Sequence, residues 1–366
     1  MRRNPDVLVL GAGLVGLSAA RALARRGVTV EVLDPRHAGG GASSAGAGLL
    51  APIADWDSVA GAIDVLRGAR DGWRGWLDEI VDESGADVEY DAGGGFLVAL
   101  DEDELGALDA ETAIAAAAGE EIKAIAVDAV RAVVPDLAPA ALRALHLPGE
   151  HKVDNVAATA ALATACRRAG VVLSEVFAVE TVETGAGGVR VSGPSGERSA
   201  ASLVVAAGAW SGAISGLPPL PVRPVRGQML RLEGVPWPWR GSLRGVHDYV
   251  VRRGPSSLLV GATVEEAGFE ERPTVAGLAG LLGFARRLFP ALAEAAVSAT
   301  WAGLRPGSPD GLPLVGALGD DRGIVAACGH YRNGILLAPW TGDAIAGWIV
   351  ERRPIDPRFS PRRFER

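Results

Sequence analysis

The apolar pattern at the start of the chain predicts a strand, a glycine-rich turn, a helix and a second strand. The first strand covers 6–10 and is apolar at every position after the first, which is typical of a strand buried on both faces. Apolar residues then recur at helical spacing over 14–26, and a second strand covers 28–33. This order indicates a βαβ unit and therefore a parallel sheet.

Two patterns alternate along the rest of the chain. A capped helix over 155–169, strands near 171–183 and 189–193, and a strand from Ser202 continue the first pattern. The second pattern consists of shorter alternating strands around one inserted helix. Its strands cover 95–100, 226–233, 247–252, 257–263 and 297–303, and its helix covers 274–289.

We therefore predict the α/β fold class, with a Rossmann-like domain interleaved with a second α+β domain that is built on an antiparallel sheet. A strand over 323–327 and a helix at roughly 342–351 return the chain to the first domain. The predicted boundaries place 1–85, 149–220 and 306–366 in the first domain and 86–148 and 221–305 in the second.

Composition and charge exclude several classes of protein. The 366 residues carry a net charge of −8, and the basic residues are scattered, so neither nucleic acid nor an anionic membrane is an expected partner. The 2 cysteines cannot form a disulfide framework, and neither they nor the 5 histidines have the spacing of metal ligands. We expect no metal and a reducing, cytoplasmic location. The apolar run near the N-terminus also resembles a secretory signal, but Asp6, Arg21 and three glycines interrupt it.

Gly11, Gly13 and Gly16 form a G-x-G-x-x-G motif between the first strand and the first helix. Gly11 permits the tight turn, Gly13 lets a pyrophosphate approach the helix N-terminus, and Gly16 allows the helix to pack closely on the strand. Asp34 ends the second strand, where a carboxylate can accept a hydrogen bond from a ribose hydroxyl. These features predict a dinucleotide site, and the alternative is a glycine turn that binds nothing.

The glycine motif does not distinguish NAD from FAD. Residues 37–50 follow Asp34 and are mostly small, with hydroxyl groups at Ser43 and Ser44. A flexible linker has this composition, but small side chains are also required where a chain approaches a phosphate or a ring closely. The position of this stretch directly after the ribose acid favours a long, extended cofactor.

Four further segments resemble the FAD-dependent glycine oxidases, a family within the D-amino-acid oxidase and sarcosine oxidase superfamily. They are 225–228, 301–307, 310–313 and 330–339, and the last of these, HYRNGILLAP, is the most specific. Together with the N-terminal motif they extend the resemblance over nearly the whole chain. The resemblance implies noncovalent FAD, because 301–304 lacks the cysteine of the covalent sarcosine oxidases.

The resemblance implies that the first domain holds FAD through a specific set of residues. The positions that match the family's FAD contacts are Leu14, Val15, Asp34, Ser43, Ala47, Gly48, Leu49, Val176, His330, Tyr331, Arg332, Asn333, Gly334, Ile335 and Leu336. To these we add the motif glycines, the neighbouring hydroxyl and the small residues after the strand from 202: Gly11, Gly13, Gly16, Ser44, Ala207 and Gly208.

The resemblance also places three catalytic residues. Arg305 falls where the family binds the substrate carboxylate, Tyr249 where a hydroxyl assists it, and Arg332 where a second arginine lies. A planar guanidinium can hold a carboxylate through two parallel hydrogen bonds while a hydride leaves Cα. Each residue also has a structural alternative, as a surface, strand or ion-pair residue. Val264 replaces the Met of some glycine oxidases, and if it lines the pocket, D-alanine or sarcosine should react comparably with glycine.

The implied activity is the oxidation of glycine, a small amine or a D-amino acid by dioxygen. Glycine would give glyoxylate, ammonia and hydrogen peroxide, in the service of thiamine thiazole biosynthesis. The resemblance also implies a homo-oligomer, which is a tetramer in the family. Two alternatives stay open: a D-amino-acid oxidase or dehydrogenase with another electron acceptor, and a flavin-binding subunit without turnover.

Overall fold

The computed structural model describes residues 4–53, 60–185, 187–319 and 321–365. The first three residues of the run that resembles a secretory signal therefore lie outside the described residues. In these ranges no helix combines the length and the apolar character that a membrane crossing requires. The α-helices are α1 (Leu14–Ala24), α2 (Ala42–Ala45), α3 (Ile63–Ser84), α4 (Leu105–Ala118), α5 (Val127–Val133), α6 (Asn155–Arg168), α7 (Val275–Leu288) and α8 (Gly334–Ala346).

Within the described ranges the strands form two large sheets and two small ones. In chain order they are β1 (Val7–Leu10), β2 (Val30–Asp34), β3 (Leu49–Leu50), β4 (Tyr90–Asp91), β5 (Gly95–Ala99), β6 (Lys123–Ile125), β7 (Arg143–Leu147), β8 (His151–Val153), β9 (Val172–Glu175), β10 (Thr181–Gly185), β11 (Gly188–Gly193), β12 (Gly196–Ala200), β13 (Ser202–Val205), β14 (Arg223–Glu233), β15 (Ser242–Arg244), β16 (Tyr249–Arg252), β17 (Ser257–Gly261), β18 (Ala296–Gly307), β19 (Leu314–Leu318) and β20 (Asp321–Cys328).

The first large sheet has six strands in the order β19-β20-β13-β1-β2-β9, and its pairs are parallel except for β19 with β20. β1 is buried on both faces, as its apolar sequence predicts. Val7 and Val9 pack among helices α1, α6 and α8, whereas Leu8 and Leu10 pack against the small sheet of β10, β11 and β12. The predicted βαβ unit of β1, α1 and β2 is confirmed.

The second large sheet has eight strands in the order β18-β14-β17-β16-β15-β5-β7-β6. Its pairs are antiparallel except for β15 with β5, so the predicted antiparallel sheet contains one parallel pair. One row of paired residues crosses five of its strands, in the order Trp301, Met229, Gly261, Tyr249 and Arg244. Side chains of directly paired residues lie on the same face of a sheet, so Tyr249 and Arg244 are neighbours. The predicted domain boundaries stay a prediction.

The single strand predicted near 171–183 is two strands in different sheets. β9 joins the six-stranded sheet, and β10 pairs with β11 in a small sheet. The chain turns between them at Val176, which has a φ of 59°. The predicted strand pair and its turn are otherwise as expected, although Ala186 in that turn lies outside the described residues.

The last helix begins at Gly334, earlier than the 342 that we predicted, and contains Pro339. Proline lacks the N–H that would bond to the carbonyl four residues earlier, which in this helix is the carbonyl of Ile335. In the structure, Trp73 Nε1 donates a hydrogen bond of 3.0 Å to the Ile335 carbonyl. A side chain 262 positions away thus compensates for the missing hydrogen bond of the helix.

Candidate active site

A cavity of about 650 Å³ extends from the carboxyl end of β1 to the face of the eight-stranded sheet. Ligands of open parallel sheets bind outside the carboxyl ends of the strands, and this cavity has that position. Its wall contains most of the predicted site residues: Gly11, Gly13, Val15, Asp34, Ser43, Ala47, Gly48, Leu49, Ala207, Gly208, Tyr249, Arg305, His330, Tyr331, Arg332, Asn333, Gly334 and Ile335.

Five predicted residues lie outside this wall. Leu14 and Leu336 are buried in the core beside the six-stranded sheet. Gly16 packs against the turn before α1, where a Cβ would collide with a backbone carbonyl. Ser44 is half-buried, and the side chain of Val176 is 67% exposed. The structure therefore does not bring the side chains of these five residues into the cavity.

The N-terminus of α1 and the end of β2 form one end of the cavity. Gly11 has a φ of 107°, a conformation that favours glycine. An Asp34 carboxylate oxygen accepts a hydrogen bond of 2.7 Å from the Ala12 N–H. Burial raises the pKa of the Asp34 carboxyl, and hydrogen bonds from backbone N–H groups oppose that rise. The first turn of α1 has no acidic residue. The positive end of the helix dipole is therefore not neutralised by the helix itself and can attract an anionic group of a ligand.

Arg305 lies at the other end of the cavity, on β18. Its Nη1 donates hydrogen bonds to the carbonyl of Thr263 at 3.0 Å and to the carbonyl of Arg226 at 3.3 Å. The guanidinium lies over Gly227, where an added Cβ would collide with it. These contacts fix the plane of the guanidinium, which a two-bond interaction with a carboxylate requires.

Tyr249 and Arg332 lie near Arg305. Burial raises the pKa of the Tyr249 hydroxyl, and the positive charges of Arg305 and Arg332 oppose that rise. The hydroxyl is therefore protonated at neutral pH and can donate a hydrogen bond. Arg332 is exposed and its guanidinium lies 5.5 Å from the centre of the Tyr331 ring. The structure thus brings the three predicted catalytic residues to one end of the cavity.

A buried charged cluster on the same wall was missed from the sequence. Arg244, which pairs with Tyr249 across β15 and β16, forms ion pairs of 3.2 Å with Glu111 and 3.0 Å with Glu150. The Ser242 hydroxyl also donates to Glu150. The two glutamates precede Arg244 by 133 and 94 positions, so no local pattern could have predicted the cluster.

A second group of residues that the sequence analysis missed lies near Asp34, at the end of the cavity formed by α1 and β2. Arg36 and Trp210 are on the cavity wall, with the guanidinium 4.6 Å from the centre of the indole. Arg36 also forms an ion pair of 2.7 Å with Glu271. The one available sequence signal was the position of Arg36, two residues after the predicted ribose acid.

The structure does not place Val264 at the pocket, so the condition attached to it is not met. β17 ends at Gly261, and Val264 lies beyond it, with 50% of its surface exposed and outside the cavity wall. Ala262 and Met229 line this part of the cavity instead. Residue 264 therefore does not determine the volume available to a substrate.

His330, on the cavity wall, should make the stability of the protein depend on pH. It is 2% exposed, its Nε2 lies 3.0 Å from Thr341 Oγ1, and burial lowers the pKa of the imidazole to about 3. The unfolded chain binds a proton below a pKa of about 6.5, so this group makes the protein less stable as the pH falls from about 6.5 towards 3. Between pH 7 and pH 5 we expect it to lower the free energy of unfolding by about 2 kcal/mol.

Chemical denaturation of the protein and of H330N at pH 7 and pH 5 tests this expectation. The variant should lose about 2 kcal/mol less than the protein between the two pH values. An equal loss in both proteins would contradict it.

Comparisons with known proteins identify the family of this chain. A family model described as FAD dependent oxidoreductase matches residues 6–348. The glycine oxidase of Bacillus licheniformis is 32% identical over 352 residues, which is 96% of this chain and 94% of that protein. The bifunctional protein ThiO/ThiG of Synechocystis sp. is 33% identical over 374 residues, covering 100% of this chain and 55% of that protein. The crystal structure of glycine oxidase from Geobacillus kaustophilus has a TM-score of 0.91 at 30% identity and covers 98% of both chains.

The chain belongs to the FAD dependent oxidoreductase family. Its cofactor is FAD, and the cavity fits this group. The turn from Gly11 to Gly13 and the Asp34 carboxylate would hold the adenosine diphosphate half, at the helix N-terminus described above. The small residues from 46 to 48 leave room for the flavin half. Cys328 is on the wall, but burial raises the pKa of its thiol to about 12, which agrees with noncovalent binding.

Proposed function

We propose that this protein oxidises glycine or a similarly small amino acid with dioxygen. For glycine the balanced reaction is glycine + O₂ + H₂O → glyoxylate + NH₃ + H₂O₂. The observation that carries the proposal is the position of Arg305 beside Tyr249 at one end of a cavity whose other end has the dinucleotide motif. The similarity to glycine oxidases over almost the whole chain supports it.

Arg305 would bind the substrate carboxylate. The carbonyls of Thr263 and Arg226 hold its guanidinium from behind, so a carboxylate meets a preoriented pair of N–H donors. The protonated Tyr249 hydroxyl would donate a further hydrogen bond to the same carboxylate. With one end of the substrate held in this way, Cα and the amine have a defined orientation in the cavity.

When bound, FAD would supply the acceptor for the hydride that leaves Cα, with dioxygen as the final electron acceptor. The residues of this chain contribute the orientation of the substrate. A neutral amine provides the lone pair that forms the C=N bond, so no protein base is needed at Cα. His330 is kept neutral by burial and bonded to Thr341, which suits a structural role. Hydrolysis of the resulting imine gives the oxo acid and ammonia.

We also propose that the product serves thiamine thiazole biosynthesis. The similarity to the protein ThiO/ThiG supports this role, together with the sequence segments that resemble glycine oxidases of that pathway. The cytoplasmic location and the homo-oligomeric state stay predictions. A dehydrogenase with another electron acceptor is distinguished from the oxidase by the experiment below.

A panel of amino acids, assayed by peroxide release in air, tests the proposal. We expect turnover of glycine and of other small substrates that have a free carboxylate, and no turnover of L-amino acids. Glycine oxidation that requires an added dye in place of dioxygen would identify a dehydrogenase. Absence of turnover with every amino acid, in protein that contains FAD, would contradict the proposal.

A further inference from the structure

The small-residue segment of the cavity wall, residues 43–48, is held by side chains from distant elements. Asn155, which is fully buried at the start of α6, donates from Nδ2 to the carbonyls of Ser43 at 2.7 Å and Gly46 at 3.0 Å. Trp301 Nε1 donates to the Ala45 carbonyl at 3.0 Å. The carbonyl side of this segment therefore faces the protein.

Arg253 completes this arrangement from the eight-stranded sheet. Its Nη2 donates to the Asn155 Oδ1 at 2.8 Å and to the Ala47 carbonyl at 3.1 Å. Its Nη1 forms an ion pair of 2.7 Å with Asp154, and the side chain is only 13% exposed. Because Arg253 supplies a donor to Asn155 Oδ1, it also fixes the orientation in which the amide donates to the segment.

The opposite side of the segment faces the cavity. Ala47 and Gly48 are on the cavity wall. Within the ranges that the structure describes, their backbone N–H groups have no hydrogen-bond partner in the protein. Two backbone donors are thus presented to whatever occupies the cavity. A Cβ on Gly48 would collide with the Val153 carbonyl, which shows how closely the segment is packed from behind.

We propose that Arg253 is a positioning residue for FAD. Among the described residues, its side chain reaches the cavity wall through a hydrogen bond to the Ala47 carbonyl, and it acts by holding the N–H groups of Ala47 and Gly48 towards the cofactor. Arg253 directly follows β16, whose first residue is Tyr249, so it also connects the strand that carries the substrate tyrosine to the segment that contacts FAD. This inference uses FAD binding and rests on the proposed function only for the role of Tyr249.

The test compares R253M with R252M, because Arg252 is the adjacent arginine and its side chain donates to the nearby Gly254 carbonyl, at 2.7 Å, rather than to the segment 43–48. FAD titration of the apoproteins, followed by flavin fluorescence, should give a dissociation constant about 10- to 100-fold higher for R253M. R252M should stay within about 2-fold of the unmodified protein. Saturated with FAD, R253M should have an altered visible absorption spectrum, and R253K should be intermediate, since one ammonium cannot reach all three partners.

Asn155→Asp provides a second variant if R253M does not fold. It keeps an oxygen that accepts from Arg253 and loses both hydrogen bonds that Nδ2 donates, so FAD binding should weaken here too. A purely structural role would lower the melting temperature of the apoprotein and leave the spectrum of the loaded protein unchanged. The inference would be overturned if folded R253M and folded Asn155→Asp had the same FAD dissociation constant and the same spectrum as the unmodified protein. If the variants weaken FAD binding and alter the spectrum as expected, but the unmodified protein does not oxidise glycine, only the proposed function is contradicted.

Discussion

Arg305→Ala keeps its FAD and loses about 30- to 5000-fold in kcat/KM for glycine, if Arg305 binds the substrate carboxylate. Without the guanidinium, the carboxylate enters a partly desolvated cavity without its charged partner, which costs about 2 to 5 kcal/mol. Steady-state peroxide production against glycine concentration, normalised to bound FAD, measures the effect. Arg305→Lys should recover only part of the loss, because an ammonium does not reproduce the planar pair of donors.

Two further variants test whether the loss of activity is specific to the carboxylate-binding residue. Tyr249→Phe removes one hydrogen bond to a charged group and should cost about 1.5 to 3 kcal/mol, less than the loss of Arg305. Arg223→Ala removes an exposed arginine from the neighbouring strand β14, where it pairs with Glu266, and should leave kcat/KM unchanged. Unchanged kinetics in folded, FAD-loaded Arg305→Ala would show that another group, with Arg332 the leading candidate, binds the carboxylate.

Gly13→Val abolishes the retention of FAD. A Cβ at this position lies 2.9 Å from Ser43 Oγ, which itself accepts a hydrogen bond of 2.9 Å from the Leu14 N–H. A valine would therefore displace Ser43 and fill the space in which a pyrophosphate approaches the helix N-terminus. The FAD-to-protein ratio after purification and after incubation with excess FAD measures the effect.

Gly72→Val is the matched control for this change. Gly72 lies on the exposed side of α3, and a Cβ there meets no atom within 4 Å. This variant should purify with the same FAD content as the unmodified protein. Retention of FAD by folded Gly13→Val would show that the motif does not hold the pyrophosphate.

The sequence predicted the cofactor end of the site because its features are local. Gly11, Gly13 and Asp34 lie within one βαβ unit, and the geometry of that unit places them together. The catalytic end was different, since Tyr249 and Arg305 lie on strands that are not adjacent in the sheet. Only the resemblance to a family placed them in one site.

The failures have equally specific physical reasons. The cluster around Arg244 depends on pairing between segments that are about 100 positions apart, which no periodicity reveals. Val264 was considered for the pocket only because it matches a Met of some glycine oxidases, whereas β17 ends at Gly261 and Val264 beyond it is 50% exposed. The early start of α8 leaves the Ile335 carbonyl without its usual helical partner at Pro339, and the hydrogen bond from the distant Trp73 satisfies it.

Anaerobic mixing of the purified protein with glycine tests the central claim most directly. The account predicts that the visible absorption of the bound flavin is bleached by glycine alone, and that admission of air restores the absorption and releases hydrogen peroxide. Arg305→Ala should bleach far more slowly at the same glycine concentration. A flavin that stays oxidised with glycine and with every other small amino acid, yet is reduced normally by dithionite, would contradict the account.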